Sequence, residues 1–292
     1  MEAVNRGKTI IITGANSGIG KATAIKLAAL GAQVILACRS EESGKTTLEE
    51  IKEITGSKSV DLLCVDMASQ SSIHKFAEEF ISKYDRLGVL IHNAANFDLT
   101  MKTPVLTEDG IETIFATNHL GPFLMTGLLI DTLKESAPSR VITIASKGLM
   151  MYPNLKIEFE NLNGEKKFSP QHAYYHSKLT QVMFTYEQAR KLAGTGVTAN
   201  CIRVTNVALP DERLTHLPAW QQKIYKIKRR MAITPEQQAD TYVYLALSNE
   251  VEGITGCYWD EKNQQVTSSA YSYDLQAQEK LWHISEELVH LI

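Results

Sequence analysis

A short apolar, β-branched run, Thr9-Ile-Ile-Ile12, leads directly into the glycine-rich stretch Thr13-Gly-Ala-Asn-Ser-Gly-Ile-Gly20. Lys21–Leu30 follows with helical periodicity. Strand, tight turn and helix in that order leave few folds open. Glycines let a backbone approach a pyrophosphate closely, and a helix N-terminus offers unpaired N–H groups with a partial positive charge. On this reading Gly14, Asn16, Ser17, Gly18, Ile19 and Gly20 belong to a nucleotide site. The spacing is Gly-x-x-x-Gly-x-Gly rather than the commoner Gly-x-Gly-x-x-Gly, and an ordinary turn before a helix is the competing explanation.

The pattern then repeats along the chain. Apolar strands are expected near Thr9–Thr13, Gln33–Cys38, Val60–Cys64, Val89–Asn93, Arg140–Ala145, Val197–Val204 and Gly256–Trp259. Helical stretches fall between them, notably Ser71–Tyr84, Gly110–Leu133, Tyr174–Ala193 and Pro235–Leu247. Such alternation predicts an α/β, Rossmann-type doubly wound fold: a mostly parallel sheet of seven strands with helices on both faces. No linker rich in proline or serine and no internal repeat divides the 292 residues, so a single domain over 1–292 is the economical reading.

A net charge of −3 does not call for a nucleic-acid partner. Cys38, Cys64, Cys201 and Cys257 show neither metal spacing nor short-range pairing, and the eight histidines lack close ligand spacing, so no metal site is expected. Reduced thiols in a cytoplasmic protein account for this cysteine usage. Met1-Glu-Ala-Val-Asn-Arg6 opens no apolar run long enough for a signal or a span, so no integral membrane segment is expected.

The second strand ends where an NAD-type site would place a ribose-binding acid. Here that place holds Cys38, Arg39 and Ser40. A guanidinium fork suits a phosphate, with Lys21 as a possible second charge, so NADP(H) is favoured over NAD(H). A solvated surface arginine is the alternative.

Farther along, Tyr174 and Lys178 stand four residues apart, at positions that share one face of a helix. A phenol titrates near 10 in water, too high for proton exchange at neutral pH. A neighbouring ammonium favours the phenolate and moves Tyr174 towards a usable range. Alone, such a pair is more often a half-buried helix with a snorkelling lysine. Ser146 follows the apolar strand Val141–Ala145, where its hydroxyl could stabilise charge on a substrate oxygen or merely cap a helix. Asn118 lies within Gly110–Leu133, although asparagine is a modest helix former whose side chain can disturb backbone pairing. Asp66 follows the third strand, where it reaches the cofactor cleft or caps the next helix.

Together, Thr13–Gly20, Asp66, Asn93-Ala-Ala95, Asn118, Ser146 and Tyr174-x-x-x-Lys178 resemble, in order, the motifs of the short-chain dehydrogenase/reductase family. The resemblance runs from about Lys8 to the C-terminus. Val34–Arg39, Asn118–Leu124 and Leu281–Leu288 look more narrowly like its retinol-dehydrogenase branch, of which many members carry an N-terminal anchor. The resemblance implies that Asp66, followed by Met67, lies near the adenine and that Asn93, Ala94 and Ala95 pass beside the cofactor backbone. Glycine is usual at Ala95, and a methyl is tolerable there only at negative φ. Asn118 is implied to hold a water that connects Lys178 to solvent. Relatives often dimerise through the helices containing Asn118 and Tyr174; a homodimer is possible, although the tail after Trp259 could interfere.

One segment departs from the family. Where Pro-Gly and a threonine usually meet the nicotinamide, this chain has Val204, Thr205, Asn206, Val207 and Leu209. Thr205 or Asn206 could compensate. Two variable regions, 148–172 and 210–234, are expected to line the substrate. Leu149-Met-Met-Tyr152 and Leu217-Pro-Ala-Trp220 favour a hydrophobic alcohol or carbonyl compound, while the basic run Lys223–Arg230 reads as a solvated helix face. The expected chemistry is hydride transfer at an oxygen-bearing carbon, with Tyr174 as acid and base. Two alternatives stay open: an NADP-binding sensor or scaffold, and a biosynthetic redox enzyme acting on an unusual metabolite.

Overall fold

The structure is a computed structural model and describes residues 7–98, 100–208 and 232–291. Seven parallel strands form one sheet: β1 (Thr9–Thr13), β2 (Gln33–Cys38), β3 (Val60–Cys64), β4 (Val89–His92), β5 (Ser139–Ser146), β6 (Val197–Val204) and β7 (Tyr258–Trp259), in the order β3-β2-β1-β4-β5-β6-β7. The strands are apolar almost throughout because both faces are covered. On one face lie α1 (Gly18–Ala29), α2 (Glu41–Thr55) and, later in the chain, a helix at Pro235–Leu247, packed around Ile10, Ile12, Leu36 and Ile142. The other face carries α3 (Gln70–Lys83), α4 (Thr113–Phe115), α5 (Gly121–Glu135) and α6 (Pro170–Lys191) around Ile11, Leu90, Phe123 and Phe184. The Pro235–Leu247 helix is α7; the last helix, α8 (Leu275–Leu288), lies against α6.

The expected elements are present, with boundaries set by capping chemistry. Gly110 does not begin a helix: its φ is +75°, in a turn closed by its N–H donating to Thr107 O. The helix starts only at Thr113, after Glu112 has accepted from Ile114 N and Phe115 N. Between α4 and α5 the backbone passes through a π-helical turn, Ala116–Leu120, that contains Asn118. Helix α6 begins at Pro170 rather than Tyr174, with Ser169 as its N-cap. Strand β7 is shorter than expected, since Gly256 takes φ +69° before it. The stretch Thr113–Glu135 is long and apolar enough to cross a membrane, but most of its apolar part is buried inside the fold as a core helix.

Candidate active site

The strand order reverses between β1 and β4, and the loops that follow these strands meet at that crevice. In doubly wound folds this is where ligands bind. Gly14 opens the first loop at φ +64°, and a Cβ there would stand 2.9 Å from Ala94 Cα. At Gly20 a Cβ would come within 2.5 Å of both Asn93 Nδ2 and Gly14 O. Asn93 Nδ2 donates to Thr13 O at 2.9 Å and to Gly14 O at 3.2 Å, while Ala94 N donates to Thr13 Oγ1. The glycines are thus needed for close approach of two backbones, and the result is a narrow floor at a helix N-terminus. Ser17 is the N-cap residue of α1, Gly18 is exposed above it, and Ile19 packs into the core below. Asn16 Nδ2 donates to Ser43 Oγ, tying this loop to α2. Among the described non-glycine residues only Asn263 and His290 have positive φ, so Ala95 carries its methyl without backbone strain.

At the end of β2, Arg39 is exposed and makes no ion pair among the described residues. Ser40 beside it caps α2 by accepting from Ser43 N. Lys21 is held in an ion pair with Glu50 of α2, which commits its charge. Asp66 does not cap α3, a role that falls to Ser69; one Asp66 carboxylate oxygen instead accepts from Ala68 N at 2.9 Å. Met67 is buried, and its carbonyl oxygen abuts Gly121, where a Cβ would come within 2.3 Å.

Helix α6 carries both Tyr174 and Lys178. Tyr174 is half-buried in its first turns, and the Lys178 Nζ stands 5.6 Å from the centroid of the Tyr174 ring. Lys178 itself is only 2% exposed, and burial pushes its amine down to about 7. Its Nζ donates to Ile144 O and to Gln181 Oε1, each at 2.8 Å. Ser146 ends β5, and its Oγ accepts from Gly148 N at 3.1 Å, capping a 3₁₀ turn, while its hydroxyl proton makes no hydrogen bond among the described residues. The ring of Tyr175 lies against Gly148, so the loop after Ser146 and the start of α6 are pressed together.

Asn118 joins the two halves. Its Oδ1 accepts from Asn96 N at 2.7 Å, and its Nδ2 donates to Asn96 O and to Ser177 Oγ. Ser177 Oγ in turn donates to Tyr174 O. The amide therefore links the loop after β4 to the backbone of Tyr174, and the π turn that presents it reroutes helix bonding at this point.

Val204 lies opposite Ser146 in the sheet. In place of Pro-Gly, the next residues are held from outside: Thr205 N donates to Gln238 Oε1, and Val207 bridges to Ile233, with Ala208 N donating to Ile233 O and Ile233 N to Asn206 O. Leu209, Leu217–Trp220 and the basic run Lys223–Arg230 lie outside the described residues.

Several neighbours of the site carry no motif in the sequence. Phe97 packs tilted against Tyr174, with ring centroids 4.2 Å apart and planes at 56°, and is 44% exposed; it lies just after Asn-Ala-Ala, in a loop without periodicity. Met150 and Met151 are exposed beyond Ser146. Tyr242, fully buried on α7, donates to Asn93 Oδ1 at 3.3 Å and so sets which end of that amide faces the glycines. Gln181, nearly one turn beyond Lys178 on the buried side of α6, accepts from the lysine, a partnership that depends on which way its side chain turns.

Comparison with known proteins agrees with this geometry. The family model for short chain dehydrogenases matches residues 8–213. Human retinol dehydrogenase 14 is 38% identical over 301 residues, covering 98% of this chain and 87% of the relative. Mouse retinol dehydrogenase 11 is 37% identical, with 98% and 87% covered. Among solved structures, an uncharacterised protein from Mycobacterium paratuberculosis superposes with TM-score 0.72 at 27% identity, covering 99% of this chain and 97% of that one. A short chain dehydrogenase from Escherichia coli CFT073, solved with NADPH, shares the fold at TM-score 0.69 and 21% identity, covering 90% and 99%. By family model, relatives and fold alike, the chain belongs to the short-chain dehydrogenase/reductase family and is similar to its retinol dehydrogenases.

Proposed function

We propose that this chain is an NADP(H)-dependent oxidoreductase acting on a hydrophobic alcohol or carbonyl compound, with Tyr174 as acid and base. The observation that carries this reading is the Lys178 amine 5.6 Å from the Tyr174 ring, on a helix that closes against the loop after Ser146. The loop of Gly14, Asn16, Ser17, Gly18, Ile19 and Gly20 suits a diphosphate, since Gly14 and Gly20 let it pack directly on Ala94 and Asn93 while exposed Gly18 opens the N-terminus of α1 with nothing within 4 Å of where a Cβ would stand. Arg39 and Ser40 would hold a 2′-phosphate, Asp66 and Met67 the adenine side, and Asn93, Ala94, Ala95, Val204, Thr205 and Val207 the nicotinamide half. Bound there, the dinucleotide supplies or accepts the hydride.

The chain's own residues do the rest. Ser146 donates its hydroxyl proton to the substrate oxygen and stabilises charge that develops there. Tyr174 passes its phenolic proton to that oxygen in reduction and takes it back in oxidation. Lys178 favours the phenolate while it is charged. Asn118 keeps α6 and the loop after β4 in register. Phe97, Met150 and Met151 offer exposed apolar surface around this point, which favours an apolar substrate; the retinol in the relatives' names is an apolar alcohol. The altered segment after β6 favours a second reading, an NADP-binding sensor or scaffold with little turnover.

Titration with NADPH and NADH, followed by cofactor fluorescence, comes first, then NADPH oxidation with a panel of apolar aldehydes and ketones. The expected result is tighter NADPH binding and measurable turnover. Tyr174→Phe should keep cofactor affinity and lose turnover by roughly 10²–10⁴-fold. Turnover by that variant at the wild-type rate removes the assigned role of Tyr174. Binding without turnover on any substrate supports the sensor.

A further inference from the structure

We propose that Gln181 is a positioning residue for the reacting pair: its side-chain carbonyl holds the Lys178 amine beside Tyr174 and supports its positive charge. This rests on the roles given above to Tyr174 and Lys178.

A charged amine with almost no solvent needs acceptors. Lys178 has two, Ile144 O on β5 and Gln181 Oε1 on its own helix, and neither is charged. No carboxylate pairs with it among the described residues. Of the titratable groups on the packed elements, Cys201 on β6 bears directly on the amine, and Tyr186 on α6, Tyr258 on β7 and Tyr242 on α7 couple to that thiol. Burial pushes Cys201 up to about 11 and the phenols well up, while His119 in the π turn is held down to about 3. All of these groups are neutral near pH 7, so none offsets the ammonium. Gln181 is the only side chain that accepts from the amine among the described residues.

Gln181 has no solvent exposure, and its Nε2 has no hydrogen-bond partner among the described residues. A buried unpaired donor is costly, and a leucine would fill the same space without one. Turning the amide over would aim N–H groups at an ammonium, so the lysine dictates the orientation observed. A local rule broken beside a reacting group points to a functional reason for the residue.

The test follows the Lys178 amine directly, in cofactor-free protein labelled with ¹³C-lysine, by NMR titration; Lys178→Arg assigns the resonance. Replacing Gln181 by leucine should lower the Lys178 midpoint by about one pH unit, through loss of an acceptor to the charged form. Gln181→Glu should raise it. In the wild-type protein the Gln181 side-chain amide resonance should shift in step with Lys178, which decides the contact even if a variant fails to fold. The pH limb of kcat/KM should move in the same direction as each midpoint. Unmoved midpoints, or a Gln181 amide blind to the lysine titration, overturn the proposal. A slower Gln181→Leu enzyme with an unmoved limb would mean a packing role only, and also overturns it. Absence of all turnover defeats the oxidoreductase reading, yet leaves the titrations to decide the contact.

Discussion

On the proposed reading, Arg39 decides the choice between two dinucleotides. It stands exposed at the end of β2, free of ion pairs among the described residues, with the Ser40 cap beside it. A site for the unphosphorylated ribose places a carboxylate here, which would repel a 2′-phosphate. A guanidinium offers that phosphate charged, paired donors. Arg39→Ala should therefore raise KM for NADPH by about 10- to 100-fold, leave NADH kinetics and kcat nearly unchanged, and leave stability alone. Steady-state rates with each cofactor check this. The places of Arg39 at the end of β2 and of Tyr174 beside Lys178 on one helix face could be read because their spacing is local. Tyr242 could not: it reaches Asn93 across 149 positions, and nothing near it marks the contact. Gln181 and Phe97 were hidden for another reason, since their meaning depends on which way a side chain turns inside a helix face or an irregular loop.

Elements were readable in kind, and their ends were not. Strands β1 and β2 coincide with the apolar runs because burial on both faces leaves no room for polar residues inside them, while β3 and β6 match in extent although they carry Asp61, Thr198, Asn200 and Arg203. The helix expected from Gly110 shows what periodicity omits: a glycine at positive φ, a Glu112 cap and a π turn all precede a regular helix. That π turn carries a testable load. Asn118 is fully buried and makes three hydrogen bonds, to Asn96 N, Asn96 O and Ser177 Oγ. Asn118→Leu keeps the volume and strands those partners, so it should cost about 2–4 kcal/mol and lower the melting temperature by several degrees. Because Ser177 is bonded to Tyr174 O, turnover should fall further than the residual folded fraction explains. Denaturant unfolding and single-turnover rates separate the two effects.

At the scale of the molecule, two features outweigh any single contact. Helix α8 lies across the outer side of α5 and α6: Trp282 packs on Phe123 and Phe184, and Ser285 meets buried His119. A dimer built through α5 and α6 would have to displace Trp282, so two copies of the intact chain should pair, if at all, by another face. Ending the chain at Asp274 should uncover those aromatic rings and drive self-association, visible by light scattering against the intact protein. The second feature is the response to acid. His92, His119 and His176 are buried, and desolvation holds them down to about 3, 3 and 4. Unfolding releases them to about 6.5. Between those values the unfolded chain binds more protons, so stability falls as pH drops below about 6.5. Each histidine contributes up to about 1.4 kcal/mol per pH unit, and by pH 5.5 the three together cost on the order of 4 kcal/mol. Lys178 acts with the same sign at higher pH: its folded value near 7 lies below 10.5, so stability is lost as pH falls from about 10.5 to 7. Domains are typically stable by about 5–15 kcal/mol, so this chain should unfold at mildly acid pH rather than near pH 3. Urea midpoints measured from pH 8 to 5 should decline steeply below 6.5. Replacing His119 by phenylalanine, an uncharged ring among Phe115, Phe123 and Phe184, should flatten that decline by about one proton's slope.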